Sequence, residues 1–186
     1  MVGSHGHVYA FEPDPTLCSV LKKNIELNNL HNVSIFQTAI SDKIGMSFFS
    51  INPEQDGDNR LESQKIRIDS IEVKTISIDK FCKDHDILPD FIKIDIQGYE
   101  PKAIQGMFNV LHNQTNIELL TEFYPSAMMA ANSSPKEFLL DLEKYGFTIY
   151  QILNSGQLQE FTIDNLLKIK NDNYVDLYCK KLDLKK

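Results

Sequence analysis

Short apolar runs alternate with stretches of helical periodicity along this chain, and the first apolar run ends abruptly on an acid. Val8–Phe11 is apolar and β-prone without helical spacing, which predicts a strand buried on both faces. Glu12 follows directly, and Pro13 and Pro15 prevent the strand from continuing. From Thr16 to Leu27 apolar residues recur at three- and four-residue steps, which predicts a helix.

The rest of the chain repeats this alternation. Strands are predicted at residues 33–36, 46–51, 66–78 (one or two strands), 90–96, 117–123, 147–153 and 174–182. Helices are predicted at 79–85 with Asp79 as the N-cap, and at 101–111, 134–145 and 164–169, whereas the polar segment 52–63 predicts a loop. Strands alternating with helices predict one α/β domain over residues 1–186, with a mainly parallel sheet, flanking helices and an antiparallel terminal strand.

Three of the predicted buried strands end in acids, namely Glu12, Asp95 and Glu122. Because the carboxyl ends of parallel strands meet at one edge of a sheet, we expect these side chains to line one cleft. A carboxylate at that edge can accept hydrogen bonds from the vicinal hydroxyls of a ribose. The resulting negative field would favour a cationic ligand.

Each acid also has an ordinary structural interpretation. In that interpretation Glu12 and Glu122 are solvated residues at strand ends, and Asp95 accepts hydrogen bonds from backbone donors in the turn before Gly98. Glu100 then caps the helix that begins at Pro101. For a single acid the functional and structural interpretations are evenly matched, so the convergence of three is the stronger observation.

Charge and cysteine content narrow the class of function. The 186 residues include 19 basic and 26 acidic side chains, a net charge of −7, and no basic block, which argues against nucleic-acid or anionic-membrane partners. Cys18, Cys82 and Cys179 are widely spaced and form no metal-binding motif, so we expect buried, reduced thiols in a cytoplasmic protein without a metal. The sequence makes no prediction of oligomeric state.

Several segments together carry a family resemblance. They are Val8–Pro13 (VYAFEP), Ala39–Lys43 (AISDK), Ile78-Asp79, Ile92–Glu100 (IKIDIQGYE), Glu122-Phe123 and Gly146-Phe147. In order and spacing these segments resemble the FkbM-type methyltransferases, over residues 7–181. The resemblance implies a class I, Rossmann-like fold and S-adenosylmethionine-dependent methylation of a small-molecule hydroxyl, such as one on a sugar or polyketide.

The resemblance also implies which residues bind the methyl donor. Glu12, with Pro13 beside it, would hold the ribose hydroxyls of S-adenosylmethionine. Thr38, Ala39 and Ile40 would flank the adenine, with Thr38 in place of the acid that many methyltransferases put at the adenine amine.

The residues expected to act in methyl transfer lie near Asp95 and Glu122. Asp95 would lie near the methionine end of the donor and is the first choice for a catalytic base, with Glu100 as the second choice. Asn59, Tyr99 and Glu122 are the candidate substrate-binding residues. Tyr124 and His5 are weaker candidates, because an aromatic residue at a strand end is more often core and a loop histidine is more often solvated.

One expected motif of class I methyltransferases is missing from the sequence. No strand followed by a Gly-rich loop precedes His7, so we expect the N-terminal strand and helix to be absent and the chain alone to bind S-adenosylmethionine poorly. That strand would lie between the Val8 and Ile92 strands. A non-catalytic binding domain is therefore an alternative function. An NAD-dependent oxidoreductase is a weaker one, because it would need a Gly-x-Gly-x-x-Gly loop before Val8.

Overall fold

The computed structural model describes residues 2–51, 60–62, 70–166, 168–169 and 173–181. The strands in these residues are β1 (Val8–Phe11), β2 (Val33–Phe36), β3 (Ala39–Ile40), β4 (Gly45–Ser50), β5 (Arg60–Glu62), β6 (Ser70–Ile76), β7 (Phe91–Ile94), β8 (Glu118–Phe123), β9 (Phe147–Ile152), β10 (Leu158–Glu160) and β11 (Val175–Lys181). The helices are α1 (Pro15–Leu27), α2 (Ile78–His85), α3 (Glu100–Gln105), α4 (Phe108–Asn113), α5 (Pro125–Ala130), α6 (Pro135–Lys144) and α7 (Ile163–Leu166). The alternation of strands and helices confirms the α/β class.

The strands form three sheets, with strand orders β1-β2, β10-β9-β11-β8-β7 and β3-β6-β4-β5. Among the described strands, parallel pairing is confined to β1 with β2, β3 with β6, and β7 with β8, and the other five pairs are antiparallel. The prediction of a mainly parallel sheet is therefore wrong, and the sheets are mixed. One reason is local: only residues 41–44 separate β3 from β4, which is far too short for a parallel crossover.

The end of the chain forms the antiparallel pair that the sequence predicted. β11 inserts between β8 and β9 and runs antiparallel to both. β8 also pairs in parallel with β7, with Ile94 opposite Thr121. Within the described residues β1 pairs with β2 and β7 pairs with β8, and no ladder joins β1 to β7.

Helix α1 begins where the sequence places it, and its start is tied to the end of β1. Asp14 is the N-cap, and its carboxylate accepts hydrogen bonds from the backbone N–H groups of Thr16 (2.7 Å) and Leu17 (3.2 Å). Pro15 occupies the first helical position, where a missing N–H costs nothing. The short 12–14 turn between β1 and α1 therefore holds Glu12 in a defined place.

The prediction that Asp79 is the N-cap of the second helix is wrong. Ser77 is the N-cap of α2, and its hydroxyl accepts from the N–H of Lys80. Asp79 instead accepts from the N–H groups of Asn109 and Val110, each at 2.9 Å, at the start of α4. Its carboxylate thus ties two helices together.

The helix predicted at 101–111 is divided into α3 and α4 around Gly106. A Cβ on Gly106 would lie 2.2 Å from the carbonyl oxygen of Ser41, so the chain approaches β3 as only glycine allows. The main core packs helices α2 to α6 against one face of the five-stranded sheet, with Phe11 and Ile40 at its margin. All three cysteines are buried and free.

The segment predicted as a polar loop at 52–63 lies largely outside the described residues, but its described part contains strand β5. β5 pairs with β4 and buries Leu61 in a second core cluster with Phe49 and Val73. Among the described helices, none is both long and apolar enough to cross a membrane.

Candidate active site

The carboxylate of Glu12 lies at the carboxyl end of β1, half-buried in the turn to α1. One oxygen, Oε1, accepts the backbone N–H of Asp14 at 2.8 Å. Burial raises the pKa of Glu12, and the charge of Asp14 adds to the rise, against the hydrogen bond from the Asp14 backbone. Pro13 is half-buried next to it. The hydrogen bond from the Asp14 N–H fixes the orientation of the Glu12 carboxylate. The second oxygen, Oε2, forms no hydrogen bond with the described residues.

The three residues expected to flank adenine lie where β2 leads into β3. Thr38 is half-buried, and its hydroxyl donates to the carbonyl of Lys74 at 2.9 Å. Ala39 is buried in the second core cluster and Ile40 packs against the main core. The hydroxyl oxygen of Thr38 is thus oriented as an acceptor, whereas the side chains of Ala39 and Ile40 are part of the core.

A tight turn follows β7 and brings the chain back toward the end of β8. Gln97 and Gly98 both have positive φ angles, 54° and 94°. A Cβ on Gly98 would lie 2.4 Å from the backbone of Ala127, so this position requires glycine both for its conformation and for contact with α5. The turn places Glu100 at the start of α3, as the sequence predicted.

Asp95 lies exposed at the end of β7 and already has partners. Its Oδ2 forms an ion pair with Nζ of Lys93 at 2.8 Å. Its Oδ1 accepts a long hydrogen bond of 3.4 Å from the amide of Gln97. Both carboxylate oxygens are therefore engaged at the surface.

Glu100 is only 1% exposed, and it is the most deeply buried of the candidate acids. Its Oε1 accepts the backbone N–H of Ile96 at 3.0 Å, so it closes the turn, and no side chain caps α3. Its Oε2 is buried and has no hydrogen-bond partner among the described residues. Burial raises the pKa of Glu100 to about 7, backbone hydrogen bonds work against the rise, and the charge of Glu122 adds to it.

Glu122 lies on β8 and shares the unusual feature of Glu100. Its Oε2 is also buried without a hydrogen-bond partner in the described part of the chain. Burial raises the pKa of Glu122, and the charges of Asp95 and Asp176 raise it further, against the charge of Lys93. The residue as a whole is half-buried.

The structure therefore brings three of the four predicted acids together and leaves the fourth in another sheet. Asp95 and Glu122 follow the paired residues Ile94 and Thr121 on neighbouring parallel strands, and Glu100 interacts electrostatically with Glu122. In the described residues, no hydrogen bond or ion pair joins Glu12 to these three acids.

The remaining candidates occupy different surroundings. Tyr99 is 8% exposed and belongs to the second core cluster, where its hydroxyl interacts with Ser47. Tyr124 lies just before α5, with its ring 6.1 Å from that of the exposed Tyr174. His5 is exposed in the first turn, and Asn59 lies outside the described residues.

Three residues that neighbour the predicted acids are not among the candidates named from the sequence, namely Asp14, Lys93 and Asp176. Asp14 has a recognisable sequence signal, because an Asp followed by Pro15 and Thr16 is a typical helix start. Lys93 was also detectable, since residues two apart on a strand share a face. Asp176 lies opposite Glu122 in the β8–β11 register, and no local signal marks that pairing. The described residues hold no cluster of three or more side chains suited to a metal.

Comparison with known proteins gives the family. The profile described as the Methyltransferase FkbM domain matches residues 1–149, so this chain belongs to the FkbM methyltransferase family. The fold is similar to that in the crystal structure of Methyltransferase FkbM from Methylobacillus flagellatus KT, with a TM-score of 0.52 and 18% sequence identity. That alignment covers 94% of this chain and 36% of the solved chain, so this chain spans about a third of the other's length. No curated protein matches the chain.

Proposed function

We propose that this chain binds S-adenosylmethionine and transfers its methyl group to a hydroxyl of a small metabolite, such as a sugar or polyketide. The observation that carries the proposal is the cluster of Asp95, Glu100 and Glu122 at the ends of β7 and β8 in a chain of the FkbM methyltransferase family. A hydroxyl acceptor needs carboxylates to orient it and to take its proton, and this cluster offers both.

The residues fit the nucleoside part of the donor. Glu12 has one oxygen held by the Asp14 backbone, and its second can accept a hydrogen bond from a ribose hydroxyl. Thr38 gives its hydroxyl proton to the Lys74 carbonyl, so its oxygen is left as an acceptor, which suits an adenine amine. In this proposal Pro13 fixes the direction of Glu12, and Ala39 and Ile40 support the base through their backbone.

S-adenosylmethionine supplies a methyl group on a positively charged sulfur, which leaves as a neutral thioether. The protein's contribution is then orientation and exclusion of water. Asp95 is proposed to position the acceptor hydroxyl, because it is exposed at the strand end and held in place by Lys93. Glu122, half-buried beside it, and Tyr99 are proposed to shape the acceptor site.

A second candidate is a domain that binds the donor without transferring methyl groups. The observation favouring it is that Glu12 follows β1 in the two-stranded sheet, whereas Asp95 follows β7 in the five-stranded sheet. Among the described residues, no strand pairing therefore connects the proposed ribose site with the proposed acceptor site. In this case ligand binding would be present and turnover absent with every acceptor.

The test combines binding and turnover in one set of variants. S-adenosylmethionine binding is measured by NMR titration, and S-adenosylhomocysteine release is measured by mass spectrometry with sugars, nucleotide sugars and macrolactones as acceptors. Asp95→Asn should lower turnover much more than donor affinity, whereas Asp90→Asn, exposed at the opposite end of β7, should change neither. Donor binding without product from any acceptor would favour the binding domain, and absence of both would refute the proposal.

A further inference from the structure

One face of the five-stranded sheet has no helix on it among the described residues. On the core face, side chains such as those of Leu119 and Leu177 are 0% exposed, because helices α2 to α6 pack against them. Successive residues of a strand point to opposite sides of the sheet, so the other face carries the residues in between. Every one of those residues on β7 to β11 is half-buried or exposed.

Part of this open face is apolar over three neighbouring strands, β9, β10 and β11. Tyr150 on β9 lies opposite Tyr178 on β11, with 6.2 Å between the ring centres. Ile152 on β9 lies opposite Leu158 on β10, and Leu158 is 50% exposed. A contiguous group of apolar side chains at the surface is typical of a site that binds another protein.

Two acids flank these apolar side chains and make the surface negative. Glu160 lies opposite Tyr150 on β10, and Asp176 lies on the same face of β11. Neither acid forms an ion pair with a described residue, because Lys180, the lysine of that face on β11, is paired with Glu118 at 3.0 Å. A partner should therefore combine apolar and positively charged side chains. We define the outer sheet patch as Tyr150, Ile152, Leu158, Glu160, Asp176 and Tyr178.

Helix α1 carries a surface of the complementary kind. It packs beside β2, and of its 13 residues only Cys18 is buried. Val20 is 48% exposed and Leu27 is 79% exposed. Lys23 follows Val20 by three residues and precedes Leu27 by four, so the three side chains share one side of the helix. Lys23 is exposed and forms no ion pair within the described part of the chain.

We propose that α1 of one copy of this chain packs on the outer sheet patch of a second copy, and that the contact is reciprocal. Val20 and Leu27 cover the apolar side chains of the patch. Lys23 supplies the positive charge that Glu160 and Asp176 lack. Because both surfaces belong to every chain, two such contacts related by a two-fold axis close a dimer.

A helix suits this patch in size and in hydrogen bonding. Strands lie about 4.8 Å apart, so three of them span roughly 10 Å, which is close to the diameter of a helix with its side chains. A helix also satisfies its own backbone hydrogen bonds, so it can cover a sheet without burying unpaired polar groups. A single helix over β9 to β11 leaves Asp95 on the far side of the sheet uncovered. The proposed acceptor site and the dimer contact therefore do not compete.

The test is sedimentation velocity of the full chain and of charge-reversed variants over a wide range of concentration. The parent should form a reversible dimer. Lys23→Glu reverses the helix side of the contact, and the double variant Glu160→Lys with Asp176→Lys reverses the patch side. Each variant alone opposes like charges, so each should dimerise at least about tenfold more weakly. Lys136→Glu, at an exposed position of α6, is the control with the same change of charge and should match the parent.

A mixture of the two charge-reversed variants gives the sharpest result. In a mixed dimer the reversed helix of one chain meets the reversed patch of the other, and the unchanged helix meets the unchanged patch. Both contacts are then favourable, so the mixture should dimerise like the parent although neither variant does so alone. A dimer that Lys23→Glu does not weaken would indicate contact between two patches, and one that the patch variant does not weaken would indicate contact between two helices. Either result contradicts the proposal.

A parent that stays monomeric at every concentration would overturn the proposal and leave the patch to a partner of another kind. A mixture that stays monomeric would overturn it as well. If a charge-reversed variant fails to fold, Leu27→Ser and Leu158→Ser replace exposed apolar residues on the two sides, and each should weaken the dimer by at least about tenfold. Unchanged dimers in both serine variants would also refute the contact. None of these measurements uses a methyl donor, so the proposed function can fail or succeed independently.

Discussion

The charge of Glu122 adds to the raised pKa of Glu100, whose carboxyl group is buried in the turn that follows β7. Each of the two residues buries one carboxyl oxygen that forms no hydrogen bond within the described residues. Such an arrangement lowers stability when both groups are ionised. Structural carboxylates are normally well paired, so this arrangement is more typical of a functional site than of a core.

The stability of the protein should depend on Glu100 in a defined direction. Because the pKa of Glu100 is raised from 4.5 to about 7, the folded state holds a proton that the unfolded state has already lost between these pH values. Stability therefore falls as pH rises through this window, by about 3 kcal/mol. Glu100→Gln should remove most of this dependence, as measured by urea unfolding at pH 5 and pH 8.

Glu137→Gln is the control for that experiment, because Glu137 is exposed in the first turn of α6. It should reproduce the pH dependence of the parent protein. A Glu100→Gln variant that loses stability between pH 5 and pH 8 as steeply as the parent would contradict the assignment.

The turn after β7 should be far less tolerant of a side chain than another glycine turn with the same backbone conformation. Gly98→Ala combines a positive φ with a contact of 2.4 Å to the Ala127 backbone, whereas Gly156 has a positive φ and nothing within 4 Å. Both substitutions should cost about 1–2 kcal/mol for the conformation. Gly98→Ala should cost about 1–3 kcal/mol more for overpacking.

Thermal unfolding of the two glycine variants measures this difference directly. Equal losses in Gly98→Ala and Gly156→Ala would mean that α5 does not pack against the turn as described. A larger loss in Gly98→Ala should be accompanied by weaker methyl transfer, because the turn holds Glu100 in place.

Asp79 should matter for stability as a link between helices, although it does not cap its own helix. Its carboxylate accepts from two backbone N–H groups of α4, so Asp79→Ala should cost about 1–2 kcal/mol. Asp84→Ala on the same helix removes only a surface ion pair with Lys80 and should cost less than about 0.5 kcal/mol. Similar losses in the two variants, by chemical denaturation, would disprove the link.

The elements that the sequence predicted well are those with strong local signals. Helix α1 has apolar periodicity together with Asp14 and Pro15 at its start, and the apolar run of β7 ends at Asp95. A local pattern of this kind, an acid at the end of an apolar run, also indicates Glu122, whereas Glu100 is a candidate through the family resemblance. The register that places Asp95 beside Glu122 follows from the parallel pairing of β7 and β8, which the pattern also indicated.

The features that the sequence did not predict depend on contacts between distant segments. The insertion of β11 between β8 and β9 places Asp176 opposite Glu122, and strand pairing of this kind leaves no mark on either strand alone. The break at Gly106 arises because Ser41 approaches from more than sixty residues away. Tyr99 packs in the core cluster of the four-stranded sheet, a contact that the motif around Tyr99 does not reveal.

The most direct test of the account is the contribution of Glu12 to binding S-adenosylmethionine. Parent protein, Glu12→Gln and Glu26→Gln are titrated with the donor and followed by backbone amide NMR, which measures weak affinities as well as strong ones. Glu26 is exposed on α1, so its variant is a control with the same change of charge. We expect the parent to bind, because the backbone of Asp14 holds the Glu12 carboxylate in a fixed orientation at the end of β1. Glu12→Gln should weaken binding by about 1–3 kcal/mol while Glu26→Gln matches the parent. Equal affinity of a folded Glu12→Gln variant, or no binding by the parent at any donor concentration, would contradict the account.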